Sequence, residues 1–334
     1  MMEMMEKENI MVSVLCTAYN HEKYIKDCLE GFVNQKTSFR FEVLINDDAS
    51  TDNTAKIIKE YEHKYPDIIK PIYQIENQYS KGVSITNKIL LPNAKGTYIA
   101  LCEGDDFWND NYKLEKQVNA LRDNPECNIC FHKVRGVSSN GEPLGNFYPF
   151  FSLNTGVIKQ YDLLEMVCKY YAFHTTSYMI KRDVYCDYKF NLPTFAKICP
   201  LEDVPTLLYF GTLGSAYYID NVMSSYRMCS DGSWSEKQNN DTDFRINHFH
   251  QMEKVTEEFK KYTDNKYSDL YSDLYHRWYT VLWQHKDFKE VIRKPYKQFF
   301  SKENFKDKLF IKTSVYFPLL TNIYSKIKKQ CQRL

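Results

Sequence analysis

Four short apolar runs lie within the first 106 residues, each ending in polar or acidic side chains and each followed by a helical or turn-rich segment. This pattern constrains the fold more than any other feature of the chain. MVSVLCTAYN (11–20), FEVLINDDAS (41–50), IKPIYQIEN (69–77) and TYIALCEGDD (97–106) have the length and composition of strands. Between them, HEKYIKDCLEGFVNQ (21–35) carries apolar residues at 24, 25, 28, 29, 32 and 33, a helical period. TDNTAKIIKEYEHKY (51–65) reads as a helix with Asp52 as N-cap, and VSITNKILLPNA (83–94) as a helix stopped at Pro92. The order is βαβαβαβ. The expected class is therefore α/β, with a Rossmann-like, mostly parallel central sheet flanked by helices.

In such sheets ligands sit beyond the carboxyl ends of the strands. The polar clusters Thr17–Asn20, Asn46–Asp48 and Glu103–Asp106 all fall there. The last cluster, LCEGDDFWND (101–110), puts Glu103, Asp105 and Asp106 at the end of an apolar run. Like charges this close repel, and burying them costs several kcal/mol each without a cation between them. A solvated turn would tolerate them. So would a hard divalent cation, which takes oxygen ligands and neutralises a diphosphate.

Beyond residue 125 the alternation loosens. NICFHKVRGV (128–137), TTSYMIKRDV (175–184) and SAYYIDNVMSSYRM (215–228) read as strands, and LEDVPTLLYFGTLG (201–214) as an apolar helix opened by two acids. Residues 240–334 read as helices rich in Tyr, Phe and Lys. The ten cysteines are scattered, mostly in apolar runs, and the start MMEMMEKENI is polar, so we expect reduced thiols in the cytoplasm. The lone CxxC, Cys127–Cys130, lacks a second pair at zinc spacing.

Three segments together, VSVLCTAYNHEKYIKDCLEGFVNQ, EVLINDDASTDNT and CEGDDFW, resemble the inverting family 2 glycosyltransferases of GT-A fold, in the order and spacing of that family. The resemblance covers roughly residues 10–235. It implies a GT-A domain over 1–235, with a nucleotide-sugar half at about 10–125 and an acceptor half at about 126–235. A helical, basic C-terminal extension follows over 236–334. It also implies that Thr17, Ala18, Tyr19 and Asn20 line the nucleotide, that Asp48 or Asp47 takes the base N–H, and that Gly82 and Asn87 belong to a looser nucleotide motif. Asp105 would ligate Mn²⁺ or Mg²⁺ and touch the nucleotide diphosphate, with Glu103 and Asp106 beside it.

Asp203 matches the family's catalytic base, which removes the acceptor hydroxyl proton, and Glu202 would line the acceptor site. Two acids opening a helix also favour its dipole. His174 and Trp234 are further acceptor-side candidates. Where relatives often have His in a YRxH pattern, YRMCSDGSWS (226–235) has Cys229.

Net charge is +1, but residues 286–334 hold thirteen Lys or Arg against four Asp or Glu, a net +9 against −8 for the remainder. NFKDKLFIKTSVYFPLLTNIYSKIKK (304–329) suits an interfacial helix attracted to anionic lipid, and equally a helix packed on the body. No apolar stretch reaches the length that spans a bilayer. Nucleic acid is not an expected partner, because no basic groove with interleaved aromatics accompanies the sheet. The expected function is metal-dependent, inverting transfer of a sugar from a nucleotide-sugar donor, UDP-linked, to a glycan or lipid-linked acceptor in bacterial surface polysaccharide synthesis. The expected location is the cytoplasm, with peripheral attachment to the inner face of the membrane as the further option. The alternative is a catalytically inactive nucleotide-binding scaffold.

Overall fold

The computed structural model describes residues 9–170, 173–228, 237 and 240–317. The first strands and helices follow the apolar runs: β1 (Ile10–Ala18), α1 (Ile25–Val33), β2 (Arg40–Asp47), α2 (Thr54–Lys64), β3 (Ile69–Tyr73) and β4 (Tyr98–Glu103). Next come β5 (Phe107–Trp108), α3 (Lys113–Asp123), β6 (Cys127–Val137), β7 (Pro143–Tyr148), β8 (Gly156–Ile158), α4 (Gln160–Tyr170) and β9 (Met179–Lys181). The described chain continues with α5 (Arg182–Phe190), α6 (Thr194–Lys197), α7 (Asp203–Leu213), β10 (Ser215–Arg227), α8 (Thr242–Tyr262) and α9 (Ser268–Gln284). It closes with the short α10 (Phe288–Val291) and α11 (Lys297–Phe300), then α12 (Phe305–Tyr316).

Ten strands form one sheet in the order β3-β2-β1-β4-β9-β6-β10-β5, with β7 added to β6 and β8 to β10. β1 runs parallel to β2 and β4, β2 to β3, and β6 to β10. β9 is antiparallel to both β4 and β6, so it joins the parallel N-terminal half to the later strands. The period-two alternation of each strand divides the core between two faces. Val12, Val14 and Cys16 of β1 and Val43 and Ile45 of β2 pack with Ile25, Leu29 and Phe32 of α1. Leu15, Leu44, Ile99 and Phe131 face the other way, into a cluster that also holds Leu163, Leu207, Phe249, Leu274 and Ile311.

Three expectations are corrected. The segment 83–94 is not an α-helix. It forms a π-turn at Thr86–Leu90 followed by a 3₁₀ turn at Leu91–Asn93. Pro92 has no N–H to offer the carbonyl four residues back, so the α ladder cannot run through it. The strand expected over 175–184 shrinks to β9, preceded by a 3₁₀ turn at Thr175–Ser177 and followed at once by α5. Helix 51–65 begins later, at Thr54, with Asn53 and not Asp52 at the N-cap; Asp52, one residue earlier, accepts the Thr54 N–H at 2.9 Å. Cys127 and Cys130 are buried free thiols in β6. Among the described residues no helix is long and apolar enough to cross a membrane.

Candidate active site

Parallel pairing brings the ends of β1, β2 and β4 to one edge. Thr17 pairs in register with Asn46 on one side and Glu103 on the other. The acidic loop after β4 is pressed onto β1: Gly104 donates its N–H to the Thr17 carbonyl at 2.9 Å. A side chain at 104 has no room, since a Cβ there would stand 2.8 Å from His21 Nδ1 and 3.1 Å from the Thr17 carbonyl oxygen. The glycine between the acids therefore sets how closely they approach the strand.

Two adjacent cavities open at this edge. A small chamber of about 80 Å³ is lined by Thr17, Thr86, Glu103, Thr175, Glu202 and Asp203, among others. A larger cavity of about 710 Å³ shares Thr17, Thr86 and Glu202 with it and adds Ala18, Tyr19, Asp48, Gly82, Asn87 and Lys189. Asp48 is buried, and its two carboxylate oxygens accept the N–H groups of Gln78 (2.8 Å) and Tyr79 (3.0 Å). It thereby pins the turn that ends at Gly82, whose φ of +76° suits glycine. Asn87 also lines this cavity, and its side-chain oxygen is buried without a hydrogen-bond partner.

Of the two aspartates, only Asp48 is on the cavity wall. Asp47 is buried, with one carboxylate oxygen unbonded. Asn20 is not on the wall either. In a left-handed conformation (φ 55°), it accepts the Thr51 N–H at 2.8 Å and ties the loop after β1 to the loop after β2.

The acids differ in environment. Glu103 is open to the cleft, yet protein surrounds it. Desolvation first, then the charges of Asp105, Asp203 and Glu202, push its carboxyl up to about 8. Burial pushes Asp203 up to about 6, opposed by the Val204 N–H, which it accepts at 2.7 Å, and by the Arg277 charge from α9. Desolvation acts on Glu202 as well, but Lys189 and Ser84 outweigh it and hold that carboxyl below the usual range. Lys189 Nζ lies 2.9 Å from one Glu202 oxygen, and Ser84 Oγ donates to the other at 2.8 Å. The Lys189 side chain is 3% exposed and stacks on Tyr185 and Tyr188. Neither Ser84 nor Lys189 was an expected site residue. The signal available for Lys189 was a lysine enclosed by aromatics in VYCDYKF.

Asp106 and His174 are placed elsewhere than expected. Asp106 is 1% exposed. One of its oxygens accepts the Arg227 N–H at 2.9 Å, and the other lies 3.9 Å from His174 Nδ1. Burial lowers His174 to about 3, so the imidazole is neutral and this contact is not an ion pair. The His174 ring packs against Tyr226, with centroids 4.0 Å apart. Neither residue is on a cavity wall. Asp105 is half-buried beside Glu103 and is also off both walls. Trp234 and Cys229 lie outside the described residues.

Among the described residues no three His, Cys, Asp or Glu side chains form a ready-made metal site. The raised Glu103 carboxyl nevertheless marks an excess of negative charge that a cation would relieve. Glu103 and Asp105 therefore fit a divalent ion that takes its remaining ligands from phosphate and water. Asp106 is less suited to that role: it is 1% exposed and Oδ1 accepts the Arg227 N–H, which leaves only the buried Oδ2 without a hydrogen-bond partner.

The curled, mostly parallel sheet with C-terminal helices is the GT-A fold. Staphylococcus aureus TarS 1–349 in complex with UDP-GlcNAc superposes with a TM-score of 0.61 at 17% identity, over 90% of this chain and 78% of that one. The mannosyltransferase PcManGT of Pyrobaculum calidifontis, in complex with GDP-Man and Mn²⁺, gives a TM-score of 0.51 at 15% identity, over 94% and 84%. In sequence, an uncharacterized Mycobacterium tuberculosis protein is 46% identical over 138 residues, 41% of this chain and 39% of that protein. The putative teichuronic acid biosynthesis glycosyltransferase TuaG of Bacillus subtilis is 33% identical over 137 residues, 41% of this chain and 52% of TuaG. The chain thus aligns with about two-fifths to one-half of these relatives. The sequence profile of glycosyl transferase family 2 matches residues 13–185. The chain belongs to glycosyl transferase family 2.

Proposed function

We propose that this chain is an inverting, metal-dependent glycosyltransferase that moves a hexosyl unit from a UDP-sugar to a glycan or lipid-linked saccharide of a bacterial surface polymer. The observation that carries the reading is the convergence of Glu103, Glu202 and Asp203 on one small chamber that shares Thr17, Thr86 and Glu202 with a cavity large enough for a nucleotide. Ala18, Tyr19, Asp48, Gly82 and Asn87 line the nucleotide side. Glu103 and Asp105 would hold Mn²⁺ or Mg²⁺, which supplies positive charge to the diphosphate. Asp203 takes the acceptor hydroxyl proton. The acceptor oxygen then bonds to the anomeric carbon as the bond to the diphosphate oxygen breaks, and the nucleoside diphosphate leaves with that electron pair. A base held near 6 is mostly ionised at neutral pH yet still basic enough to accept the proton. The relatives' names, teichuronic acid biosynthesis and poly(ribitol-phosphate) β-N-acetylglucosaminyltransferase, support an acceptor of the cell-wall polymer class.

Calorimetric titration with UDP, GDP and CDP, with and without Mn²⁺, tests the donor half. UDP binding should require the metal and be lost in Asp105→Asn. Equal binding of all three nucleotides without metal would refute it. Asp203→Asn should keep UDP binding and lose about a hundredfold to ten-thousandfold in turnover. Unchanged turnover would remove Asp203 as the base.

A further inference from the structure

We propose that the outer face of α12 docks on an anionic lipid bilayer. The inner face of this helix is built into the body through Ile311, which is buried; Phe310, 41% exposed, stands beside it and meets Phe288 edge to face with ring centroids 5.6 Å apart. The outer face is apolar too. Phe305, Leu309 and Tyr316 are 78%, 54% and 64% exposed. At about 100° per residue these three fall within an arc of about 40°. Lys306 and Lys312, both exposed, border that arc. A helix that is apolar on both sides has one face for the core and a second that water does not favour.

Charge selects the occupant. Residues 286–334 carry a net +9, and the rest of the chain −8. An anionic surface attracts the first and repels the second, so the molecule would be drawn in with its C-terminal end foremost. A second copy would set like charge against like: the described residues 286–317 alone hold nine Lys or Arg against four Asp or Glu, a net +5. Three side chains also fall well short of the roughly 800 Å² per partner that a stable protein interface buries. The bilayer accepts such a stripe between its headgroups, with the flanking lysines at the phosphates. The inference does not depend on which nucleotide or sugar the site uses.

The test is co-sedimentation of the full chain with vesicles of phosphatidylcholine, with and without phosphatidylglycerol. Binding is expected only with phosphatidylglycerol and should weaken with salt. Leu309→Glu with Tyr316→Glu should reduce it by at least about tenfold, as should Lys306→Glu with Lys312→Glu. All four positions face outward, so circular dichroism melts should not change. The charge-reversal pair keeps the test decisive if the first pair fails to fold. Three results would overturn the proposal: no vesicle binding, equal binding to both lipids, or full binding by both double variants. Wild-type dimerisation abolished by either pair would also overturn it, in favour of a second copy.

Discussion

Gly104 shows how one missing side chain sets the site. A Cβ at this position meets His21 Nδ1 at 2.8 Å, Ile25 Cδ1 at 3.0 Å and the Thr17 carbonyl at 3.1 Å, so no single rotamer change relieves it. Gly104→Ala should cost about 1–3 kcal/mol in urea unfolding. It should also weaken Mn²⁺-dependent UDP binding, because Glu103 and Asp105 flank the displaced residue. Unchanged stability would mean that the loop yields without loss. The residues on either side were legible in the sequence because acids ending an apolar run are anomalous. Lys189 was legible only as a lysine among aromatics, not as a site residue. Its meaning comes from a partner, Glu202, thirteen residues away and from rings that only α5 brings beneath it. Asp106 misled for the same reason. Adjacent acids look equivalent in a string, but the Arg227 backbone N–H reaches only one of them.

At the scale of elements, α9 acts on α7. Arg277 is half-buried, donates to the Val167 carbonyl at 2.8 Å, stacks on Trp278, and is close enough to Asp203 to lower its carboxyl against the effect of burial. Asp203 works as a base only when ionised, so kcat/KM should rise with pH through about 6. Arg277→Met removes the opposing charge and leaves burial in place. The acidic limb of the profile should then move to higher pH by a fraction of a unit. A limb that stays put or moves down would show that Arg277 is structural only. β1, β2 and β4 were legible because a parallel sheet buried on both faces needs near-continuous apolar runs, whereas β3, at the sheet edge, buries only Ile69. β5, β7 and α4 were missed. β5 has only two residues and is fixed by pairing with Ser224 and Ser225 of β10, a contact no local pattern encodes.

At the scale of the whole molecule, the helices after β10 are not an appendage in energetic terms. Phe249, Met252, Val255 and Phe259 of α8, and Leu270, Leu274, Trp278 and Leu282 of α9, lie in the same buried cluster as Leu15, Ile99 and Phe131 of the sheet. Each large side chain uncovered forfeits about 1.5–3 kcal/mol, and a domain of this kind holds only about 5–15 kcal/mol in total. A chain ending at Arg227 would lose the cover over α4, α6 and one face of the sheet, together with the Arg277 charge near Asp203. We expect that fragment to expose apolar surface, bind a hydrophobic dye and show no cooperative thermal transition, although it contains every cavity-lining residue named above. A fragment that melts cooperatively and still binds UDP with Mn²⁺ would place the folding boundary at the end of β10. It would also reduce the C-terminal helices to an added layer. If the fragment fails while a chain ending at Phe317 folds, the first 227 residues carry the site but depend on α8 to α12 to hold it.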